Sequence, residues 1–400
     1  MTRRPGVGGR VAIVGYAHSV ATRRADRPLG AVAVDVARAA IADAGLTAAD
    51  IDGFVTSALF PTAGAHAVRD GVSTVSAAWL AQRVATAPRY VAGFQGIGQL
   101  PGAVALAANA IAAGAADYVL VHRALHNPVG GYHDNPANTV SGEQQWTVPQ
   151  GFGGPLPMIA LPYNEYLQRY QADPDTMASV VVEARKNGAR NPWSYWHDRP
   201  LTRAEYLAAP MVSDPVRRLD CDIPVDGVAA FVFTSAERAR DLPHPPVYVA
   251  GYAGSGPVPA RLPLHWPLDD IMAGGLDLAE RLWESAGVRG PGEIDLAQVY
   301  DGFSPFVYFW LEALGFCPVG EAHRLVADGG IDSDVPGAMA VLSGGGALGN
   351  GRMHGIPQML ECYLRLSGRA GARGGSASVA LACHSSPHYG GAVVYSSEKY

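Results

Sequence analysis

Residues 341–356 read Val341-Leu-Ser-Gly-Gly-Gly-Ala-Leu-Gly-Asn-Gly-Arg-Met-His-Gly-Ile356, and six of these sixteen residues are glycine. An apolar run at residues 338–342 precedes the glycines, and apolar residues at helical spacing follow them from Met359 to Leu366. This order predicts a strand, a glycine turn and the start of a helix. The stretch therefore favours an α/β fold.

The glycine turn offers both space and charge. Glycine permits positive φ and lets a ligand approach the backbone closely, so Gly345 and Gly346 are candidate substrate-binding positions. The N–H groups at the start of the following helix would face such a ligand. Arg352 and His354 are the groups of the turn that can carry charge. A tight, buried connection without chemistry is the alternative interpretation.

Outward from this stretch, short apolar runs alternate with segments of helical spacing. In the first part of the chain the predicted strands are residues 11–15, 50–56 and 116–121, and the predicted helices are residues 28–44, 74–88 and 101–114. Strand, helix and strand in this order predict right-handed βαβ units in a mostly parallel sheet. The alternation restarts near Pro246, and Asp50-Ile-Asp-Gly and Glu293-Ile-Asp-Leu each precede a predicted strand. Two similar lobes are therefore predicted.

A long segment interrupts the alternation, because residues 124–160 combine Gly, Pro, Asn and aromatic residues without clean periodicity. Strand character returns only at residues 229–234. Long insertions of this kind often cover an active site. The predicted organisation is a first lobe of residues 1–123 and 226–244, an inserted loop domain of residues 124–225, and a second lobe of residues 245–400.

The composition excludes several classes of protein. The 400 residues are 48% hydrophobic and 16% charged, with a net charge of −6, which is typical of a compact globular chain and gives no electrostatic case for nucleic acid. No apolar run reaches the roughly 18 residues of a membrane span. The four cysteines form no C-x-x-C pair, which argues against a metal site and against a disulfide framework. We expect no metal and a reducing cytoplasm as the setting.

Tyr300-Asp-Gly-Phe303 follows a predicted apolar strand at residues 294–299. Polar residues at the carboxyl end of a parallel strand lie where open α/β sheets bind ligands. A tyrosine can act as a base near neutral pH only if a cation or hydrogen bonds lower its pKa. Arg352 or a protonated His354 could supply that cation. A tyrosine packed under the next helix with its hydroxyl satisfied is the alternative.

A further candidate lies between two predicted closing strands, in the stretch Ala382-Cys-His-Ser-Ser-Pro-His-Tyr389. A Cys–His pair suggests nucleophilic catalysis. However, Cys383 and His384 are adjacent, and in a strand they would point to opposite faces. A buried thiol beside a hydrogen-bonded histidine is the alternative. His122 and His126, which follow another predicted strand, are further candidates.

Several longer motifs stand in a fixed order along the chain. They are Pro210-Met-Val-Ser-Asp-Pro-Val-Arg-Arg-Leu-Asp-Cys-Asp222, Val225-Asp-Gly-Val-Ala-Ala230, Tyr300-Asp-Gly-Phe303, Glu312-Ala-Leu-Gly-Phe-Cys-Pro318 and the glycine turn. Together they resemble the thiolase superfamily, in particular the sterol-carrier-protein type thiolases and the actinobacterial relatives often called lipid-transfer proteins. The resemblance implies an α/β thiolase fold of five layers, αβαβα, from two similar lobes with an inserted loop domain. It also implies a homodimer formed through the first lobe.

The chain departs from thiolases at the residues that carry thiolase chemistry. Such thiolases place a nucleophilic cysteine just before the Ala-rich helix, where this chain has Gln95. Without a thiolate no acyl-enzyme can form there. Tyr300 stands at the histidine of the family's His-Asp-x-Phe, and Arg352 at the histidine of its Gly-His-Pro. Ordinary thiolysis or Claisen condensation is therefore not expected.

Tyr300-Asp301 and the turn Gly351-Arg-Met-His-Gly355 instead resemble the thiolase-like aldolases of steroid side-chain breakdown. Those enzymes cleave a β-hydroxyacyl-CoA by a retro-aldol reaction, so CoA enters as part of the substrate and no covalently bound cofactor is implied. They work with a small partner protein that carries a zinc ribbon and an OB-fold. They also have a second tyrosine just after the His-Gly, where this chain has Ile356. A histidine takes that role here, His354, His384 or His388, or the reaction differs.

A retro-aldol reaction accounts for the missing cysteine because it needs no covalent intermediate. The resemblance implies that Tyr300 takes part in the acid–base chemistry. We expect Tyr300 to be the base, Asp301 its orienting neighbour and Arg352 the cation that lowers its pKa. His354 would hold the thioester oxygen, with His384 as a further donor to the enolate. The residues expected to line the substrate site are Gln95, Gly345, Gly346, Cys383 and His388.

Two other functions remain open from the sequence. One is an acyltransferase or condensing enzyme, for which Cys383 is the plausible thiol. The other is a non-catalytic acyl-CoA or lipid binder, or a scaffold subunit in a complex. Aromatic residues of the insertion would line an acyl pocket or pack within the insertion; they are Trp146, Tyr163, Tyr166, Trp193 and Trp196.

Overall fold

The structure, a computed structural model, describes residues 8–57, 75–85, 87–94, 99–126, 142–152, 154–255, 267–375 and 377–399. The strands are Val11–His18 (β1), Gly53–Thr56 (β2), Tyr90–Gly93 (β3), Tyr118–Leu125 (β4), Met211–Ser213 (β5), Val216–Arg217 (β6), Gly227–Ser235 (β7), Val247–Gly254 (β8), Leu296–Gln298 (β9), Val379–His384 (β10) and Gly391–Ser396 (β11). The helices are Leu29–Asp43 (α1), Ala77–Val84 (α2), Gln99–Ala112 (α3), Pro155–Tyr170 (α4), Met177–Ala189 (α5), Arg203–Leu207 (α6), Leu268–Ala286 (α7), Pro305–Ala313 (α8), Ala322–Ala327 (α9), Gly346–Asn350 (α10) and Ile356–Leu366 (α11).

The described strands form one large mixed sheet in the order β3-β2-β4-β7-β1-β8-β11-β10-β9, beside a small β5–β6 hairpin. The two lobes are joined where β1 pairs with β8, through Ala12 with Tyr248 and Ile13 with Val247. The prediction of a mostly parallel sheet is wrong, because five of the eight pairings in the large sheet are antiparallel. The short turn between β10 and β11 permits only an antiparallel pair. The sequence patterns had revealed the βαβ units but not the central strands that pair between them.

Three separate cores define the layers. One core packs α1 and α2 on the outer face of the first-lobe strands. A second core holds α3 and α11 between strands of both lobes, and a third packs α7 and α8 on the outer face of the second lobe. The order helix, sheet, helix, sheet, helix confirms the predicted five layers. The Ala-rich α3 is buried between the lobes because its small side chains let strands approach it from both sides.

The range predicted as an insertion, residues 124–225, begins within the last residues of β4 and contains α4, α5, α6 and the β5–β6 hairpin. It packs on the second lobe, where α5 crosses α10 so closely that a Cβ at Gly188 would lie 1.9 Å from the carbonyl oxygen of Gly349. Tyr163 and Tyr166 belong to this shared core and so support the packing alternative rather than an acyl pocket. The chain returns to the first lobe with β7, which pairs with β1 and β4.

The glycine-rich stretch folds differently from its predicted order of strand, turn and helix. Val341 makes a single bridge to Ala297 where a strand was expected. Gly345 has φ of 88° at the start of α10, so a glycine turn is present as predicted, but α10 is a short helix that was not predicted. A second turn follows, with φ of 109° at Gly351 and 88° at Gly355, before α11 begins. The second turn holds Arg352 and His354 between two helices.

Candidate active site

Tyr300 lies two residues beyond the carboxyl end of β9, buried to 6% exposure. Its ring folds over Gly302, where an added Cβ would lie only 2.4 Å from the phenol oxygen. Its hydroxyl makes no hydrogen bond to another described residue, which contradicts the alternative of a satisfied structural tyrosine. Burial raises the pKa of Tyr300 well above its usual value, and the charges of Asp222 and Asp301 raise it further. The resting side chain is therefore a neutral phenol.

His384 meets Tyr300 because β9 and β10 are parallel neighbours whose carboxyl ends lie at one edge. The two ring centroids are 4.5 Å apart, and His354 stacks on the other side of His384 at 5.7 Å. Both ring nitrogens of His384 are buried and have no hydrogen-bond partner among the described residues. Burial, with the charge of Arg123, lowers the pKa of His384 well below its usual value. It is a neutral imidazole with an available N–H, not the hydrogen-bonded histidine of the structural alternative.

Arg123, near the end of β4, brings a cation from the first lobe to this cluster. It is 2% exposed, and its guanidinium donates to Ser57 and, at 2.8 Å, to Oε1 of Gln99. Its Nε has no partner in the part of the chain that the structure describes. Burial lowers the pKa of Arg123 to about 9, so it remains charged near neutral pH. Its charge lowers the pKa of Tyr300.

Arg352 was predicted to be the cation that lowers the pKa of Tyr300, but the cation whose charge has this effect is Arg123. Arg352 is buried in the second glycine turn, where its N–H donates to the carbonyl of Ile223 at 2.8 Å. Burial, followed by the charge of Arg123, lowers the pKa of Arg352 to about 9. The two guanidinium groups thus lie close enough to repel each other, while the cation whose field acts on Tyr300 is Arg123.

Sequence reasoning missed Arg123 because it selected the histidines on either side. His122 alternates with Arg123 along β4 and so points to the other face, where its Nε2 lies 3.1 Å from the carbonyl oxygen of Val75. His126 faces Asp226 at 3.5 Å. The signal that could have found Arg123 is a cation in the last residues of a buried apolar strand.

Asp301 does not orient Tyr300, contrary to the prediction. Its carboxylate accepts hydrogen bonds from the N–H groups of Ala347 at 2.6 Å and Leu348 at 3.0 Å, and from Nε2 of Gln358 at 2.8 Å. It therefore holds the first turn of α10 in place. Burial raises its pKa to about 7, although these donors oppose the shift.

Gly345 and Gly346 do not present open space to a ligand. A Cβ on Gly345 would lie 2.5 Å from the backbone of Gly188, and one on Gly346 would lie 2.2 Å from Oδ2 of Asp301. Both positions require glycine because protein atoms already fill the space. Their assignment as substrate-binding residues is therefore corrected to a structural role. Gln95 lies outside the described residues.

Cys383 and His388 belong to the packing around the cluster. Cys383 is 1% exposed, and burial raises the pKa of its thiol well above the usual value. Oγ of Ser386 lies 2.9 Å from Nδ1 of His388, and the backbone of His388 packs against Gly274 of α7. Burial lowers the pKa of His388 to about 4. Cys383 shares its core with Tyr300, so its buried thiol contributes to the packing there.

Among the described residues no group of His, Cys, Asp and Glu could hold a metal ion. None of the described helices is long and apolar enough to cross a membrane. Tyr300, His384, His354 and Arg123 together form a buried cluster of titratable and charged side chains. It offers a phenol, two imidazoles and a guanidinium at one buried edge of the sheet.

Comparison with known proteins places this geometry in a family. A family model described as thiolase C-terminal domain-like matches residues 276–395. The chain is 31% identical over 373 residues to a steroid side-chain-cleaving aldolase of Thermomonospora curvata, covering 90% of this chain and 91% of that protein. It is 30% identical over 370 residues to the 17-hydroxy-3-oxo-4-pregnene-20-carboxyl-CoA lyase of Mycobacterium tuberculosis, covering 90% and 92%.

Comparison with solved structures also finds aldolases and thiolases with this fold. The Ltp2-ChsH2(DUF35) aldolase superposes with a TM-score of 0.83 and 29% identity over 98% of each chain. Human mitochondrial 3-ketoacyl-CoA thiolase superposes with a TM-score of 0.66 at 15% identity, over 97% of this chain and 98% of that one, and shows the shared fold alone. Since two relatives of at least 30% identity span nine tenths of the chain, the protein belongs to the thiolase superfamily, within its branch of thiolase-like aldolases.

Proposed function

We propose that this protein is a carbon–carbon lyase that cleaves a β-hydroxyacyl-CoA thioester by a retro-aldol reaction, with Tyr300 as the group that takes the hydroxyl proton. The observation that carries the proposal is the Tyr300 phenol, which makes no hydrogen bond to another described residue and lies between the charge of Arg123 and the ring of His384. Such a group can move a proton without first breaking a structural bond. The relatives named above support the same reaction class.

The reaction balances without a covalent intermediate. The phenol passes its own proton to a neighbouring base while its oxygen takes the proton of the β-hydroxyl. In the same step the Cα–Cβ bond breaks, and the β carbon leaves as a carbonyl compound. The electron pair of the broken bond forms a thioester enolate. Return of a proton to Cα then gives the shortened acyl-CoA.

The enolate oxygen requires donors that are already in place. Arg123 supplies a buried positive charge with a free Nε–H among the described residues. His384, as a neutral imidazole, has an N–H without a partner there, and His354 stacks on it. In a buried site each such donor is stronger than in water because solvent does not compete.

The cysteines argue against the alternative of an acyltransferase. Burial raises the pKa of Cys317 to about 12. Burial raises the pKa values of the other three, Cys221, Cys362 and Cys383, as well. None of the four is a thiolate near neutral pH, and a thiol is a poor nucleophile.

The setting of the reaction belongs to the same proposal. We infer a steroid-derived acyl group, since both curated relatives are named for steroid substrates. We also infer a small DUF35-type partner with a zinc ribbon and an OB-fold, no covalently bound cofactor, and a cytoplasmic location. A homodimer through the first lobe is supported by β3, an edge strand whose Val91 is 42% exposed.

The test uses the full chain, alone and co-expressed with a DUF35-type partner, with a panel of steroid and linear β-hydroxyacyl-CoA thioesters and product detection by mass spectrometry. We expect a carbonyl fragment and a shortened acyl-CoA. Tyr300→Phe should lower kcat by about 10²–10⁴-fold while thioester binding is retained. Tyr118→Phe, the same change at the opposite end of β4, is the matched control and should leave kcat unchanged.

Two outcomes would refute parts of this proposal. Full activity of Tyr300→Phe would remove the tyrosine from the proton transfer. Measurable thioester binding without cleavage, with and without the partner, would identify the protein as an acyl-CoA-binding subunit.

A further inference from the structure

Residues 220–226, just before β7, contain three aspartates, and one of them differs from the other two in its hydrogen bonding. Asp220 accepts hydrogen bonds from the hydroxyls of Tyr206 at 2.7 Å and Ser304 at 2.6 Å. Asp226 accepts one from the N–H of Ala25 at 2.7 Å. Asp222 is 5% exposed, yet its Oδ2 is buried without a partner among the described residues. A buried carboxylate oxygen in this state is costly for the fold and needs an explanation.

The backbone places Asp222 beside Tyr300. Its N–H donates to the carbonyl of Gly302 at 3.1 Å, and the preceding Cys221 forms an antiparallel bridge with Phe303. The phenol of Tyr300 lies over the Cα of the same Gly302. The backbone of Asp222 and the phenol of Tyr300 therefore both lie against Gly302, and the charge of Asp222 acts on Tyr300.

The charges around the pair come from several elements. Asp301 faces Asp222 and Tyr300 from the end of β9, and Arg123 faces Tyr300 from β4. The Cys221 thiol lies beside Asp222, and burial, with the charges of Asp220 and Asp222, raises its pKa, so it stays neutral. Of the three charges that act on Tyr300, that of Asp222 has the largest effect. Burial, followed by the charge of Asp301, raises the pKa of Asp222 well above its usual value.

A neutral phenol cannot simply gain a proton from an alcohol. To act as the base of the proposed reaction, Tyr300 must lose its own proton as it takes the one from the substrate. Asp301 is occupied by its three donors, and His384 is a weak base because its pKa is lowered. Asp222 has both the vacant oxygen and an affinity for protons raised by burial.

We propose that Asp222 is the positioning residue that accepts the proton of Tyr300 while the phenol oxygen takes the proton of the substrate β-hydroxyl. The same two transfers run in reverse when Cα of the enolate is protonated, so both side chains return to their resting states. No oxidant, metal or added base is consumed. This inference rests on the proposed function, since it names the proton acceptor of that reaction.

The kinetic test is Asp222→Asn, which keeps the shape and removes the proton acceptor. In the full chain with its partner, kcat should fall by about a hundredfold or more, with KM for the thioester little changed. The acidic limb of the pH–rate profile should disappear, because it reports protonation of Asp222 in the wild type. Asp220→Asn is the control: it removes a hydrogen-bonded carboxylate, so its thermal midpoint should fall while the acidic limb stays.

A second readout does not depend on turnover. In the folded wild type Asp222 holds its proton to a higher pH than in the unfolded chain, so its contribution to the unfolding free energy falls as pH rises above about 4. The Asp222→Asn variant has no such pH-dependent loss of stability. The difference between its thermal midpoint and that of the wild type should therefore shift in favour of the variant from pH 4 to pH 7, both with and without the partner. A constant difference would show that Asp222 is not the buried proton acceptor.

The outcomes separate the two proposals. Wild-type kcat and an unchanged acidic limb in Asp222→Asn, with Tyr300→Phe inactive, would overturn the relay and leave the retro-aldol function standing. Absence of cleavage in the wild type would overturn the function and the relay together. Loss of kcat and of the acidic limb, with a folded variant, supports the relay.

Discussion

Two buried polar regions lie side by side at the carboxyl edge of the second lobe, and they are built in opposite ways. In the turn around α10, Asp301 and Asn350 are held by hydrogen bonds: Asp301 accepts three, and Nδ2 of Asn350 donates to the carbonyls of Gly344 and Gly346, both at 2.8 Å. In the cluster around Tyr300, by contrast, the nitrogens of His384 and an oxygen of Asp222 have no partner among the described residues.

Under the proposed function, this difference separates polar residues that stabilise the fold from those that would act on a substrate. An unsatisfied buried polar group costs about 1–3 kcal/mol, so the fold alone would favour partners for all of them. The cluster keeps vacant donors and acceptors where a hydroxyl and a thioester oxygen would bind. The substitutions below should therefore change activity in one region and stability in the other.

After Tyr300→Phe, Arg123→Met should have the largest effect on activity. It removes the cation that lowers the pKa of Tyr300 and a donor for the enolate, so kcat/KM should fall by about 10²–10³-fold. Its two hydrogen-bond acceptors, Ser57 and Gln99, are neutral, so no carboxylate is left unpaired and the variant should fold. Steady-state kinetics and thermal melting measure both effects.

Arg352→Met sharpens the same comparison. If the sequence-based role of Arg352 were right, its loss would lower kcat/KM more than the loss of Arg123. The structure predicts the reverse order, because the field at Tyr300 comes from Arg123. Equal activity of Arg123→Met and wild type would remove Arg123 from the mechanism.

Asp301→Asn should lower the free energy of unfolding by about 1–3 kcal/mol. An amide has one acceptor oxygen, so its NH₂ would face an N–H donor where the carboxylate now accepts, at Ala347 or Leu348. Chemical denaturation measures the loss. Asp222→Asn is the comparison within the same site, and its free energy of unfolding should not fall near neutral pH. A stable Asp301→Asn variant would contradict the structural assignment of Asp301.

The sequence analysis named Tyr300 and His384 for one site from the mechanism that the family resemblance suggests, and the structure supplies the physical reason why they meet. Parallel strands in βαβ order place their carboxyl ends at one edge, so polar residues after β9 and β10 must lie together. Arg123 and Asp222 could not be found in this way. They come from the other lobe and from the end of the insertion, and their approach depends on antiparallel pairings that no local pattern reveals.

The same limit applies to the fold. The helical spacing of residues 267–286 predicted α7, Leu268–Ala286, almost to the residue, because period and flanking turns are local properties. The five layers followed from the family resemblance, and the cores confirm them. One prediction from the glycine-rich stretch, residues 341–356, was wrong. Its glycines were interpreted as space for a ligand, whereas Gly188 and Asp301, far apart in sequence, fill that space.

Gly302→Ala should have a smaller effect on activity, about tenfold in kcat. The φ of Gly302 lies outside the left-handed region, so the backbone accepts alanine, but the new Cβ would meet the phenol oxygen at 2.4 Å. The phenol must then shift away from Asp222 and the substrate. Gly292→Ala, which meets nothing within 4 Å, is the matched control. Unchanged kcat in Gly302→Ala would show that the position of the phenol is not critical.

Cys383→Ala should have the smallest effect and tests the boundary between the two regions. Cys383 is next to His384 in β10, yet it faces the core, and burial holds its thiol protonated. We expect kcat within about twofold of the wild type, because a buried thiol neither attacks a thioester nor donates usefully to an enolate. Loss of turnover in a variant that melts like the wild type would instead indicate that Cys383 is a nucleophile and would support the acyltransferase hypothesis. These two neighbouring residues therefore make opposite predictions. His384, whose ring nitrogens both lack a partner among the described residues, should be essential to turnover. Cys383, one residue away on the opposite face of the strand, should not be essential.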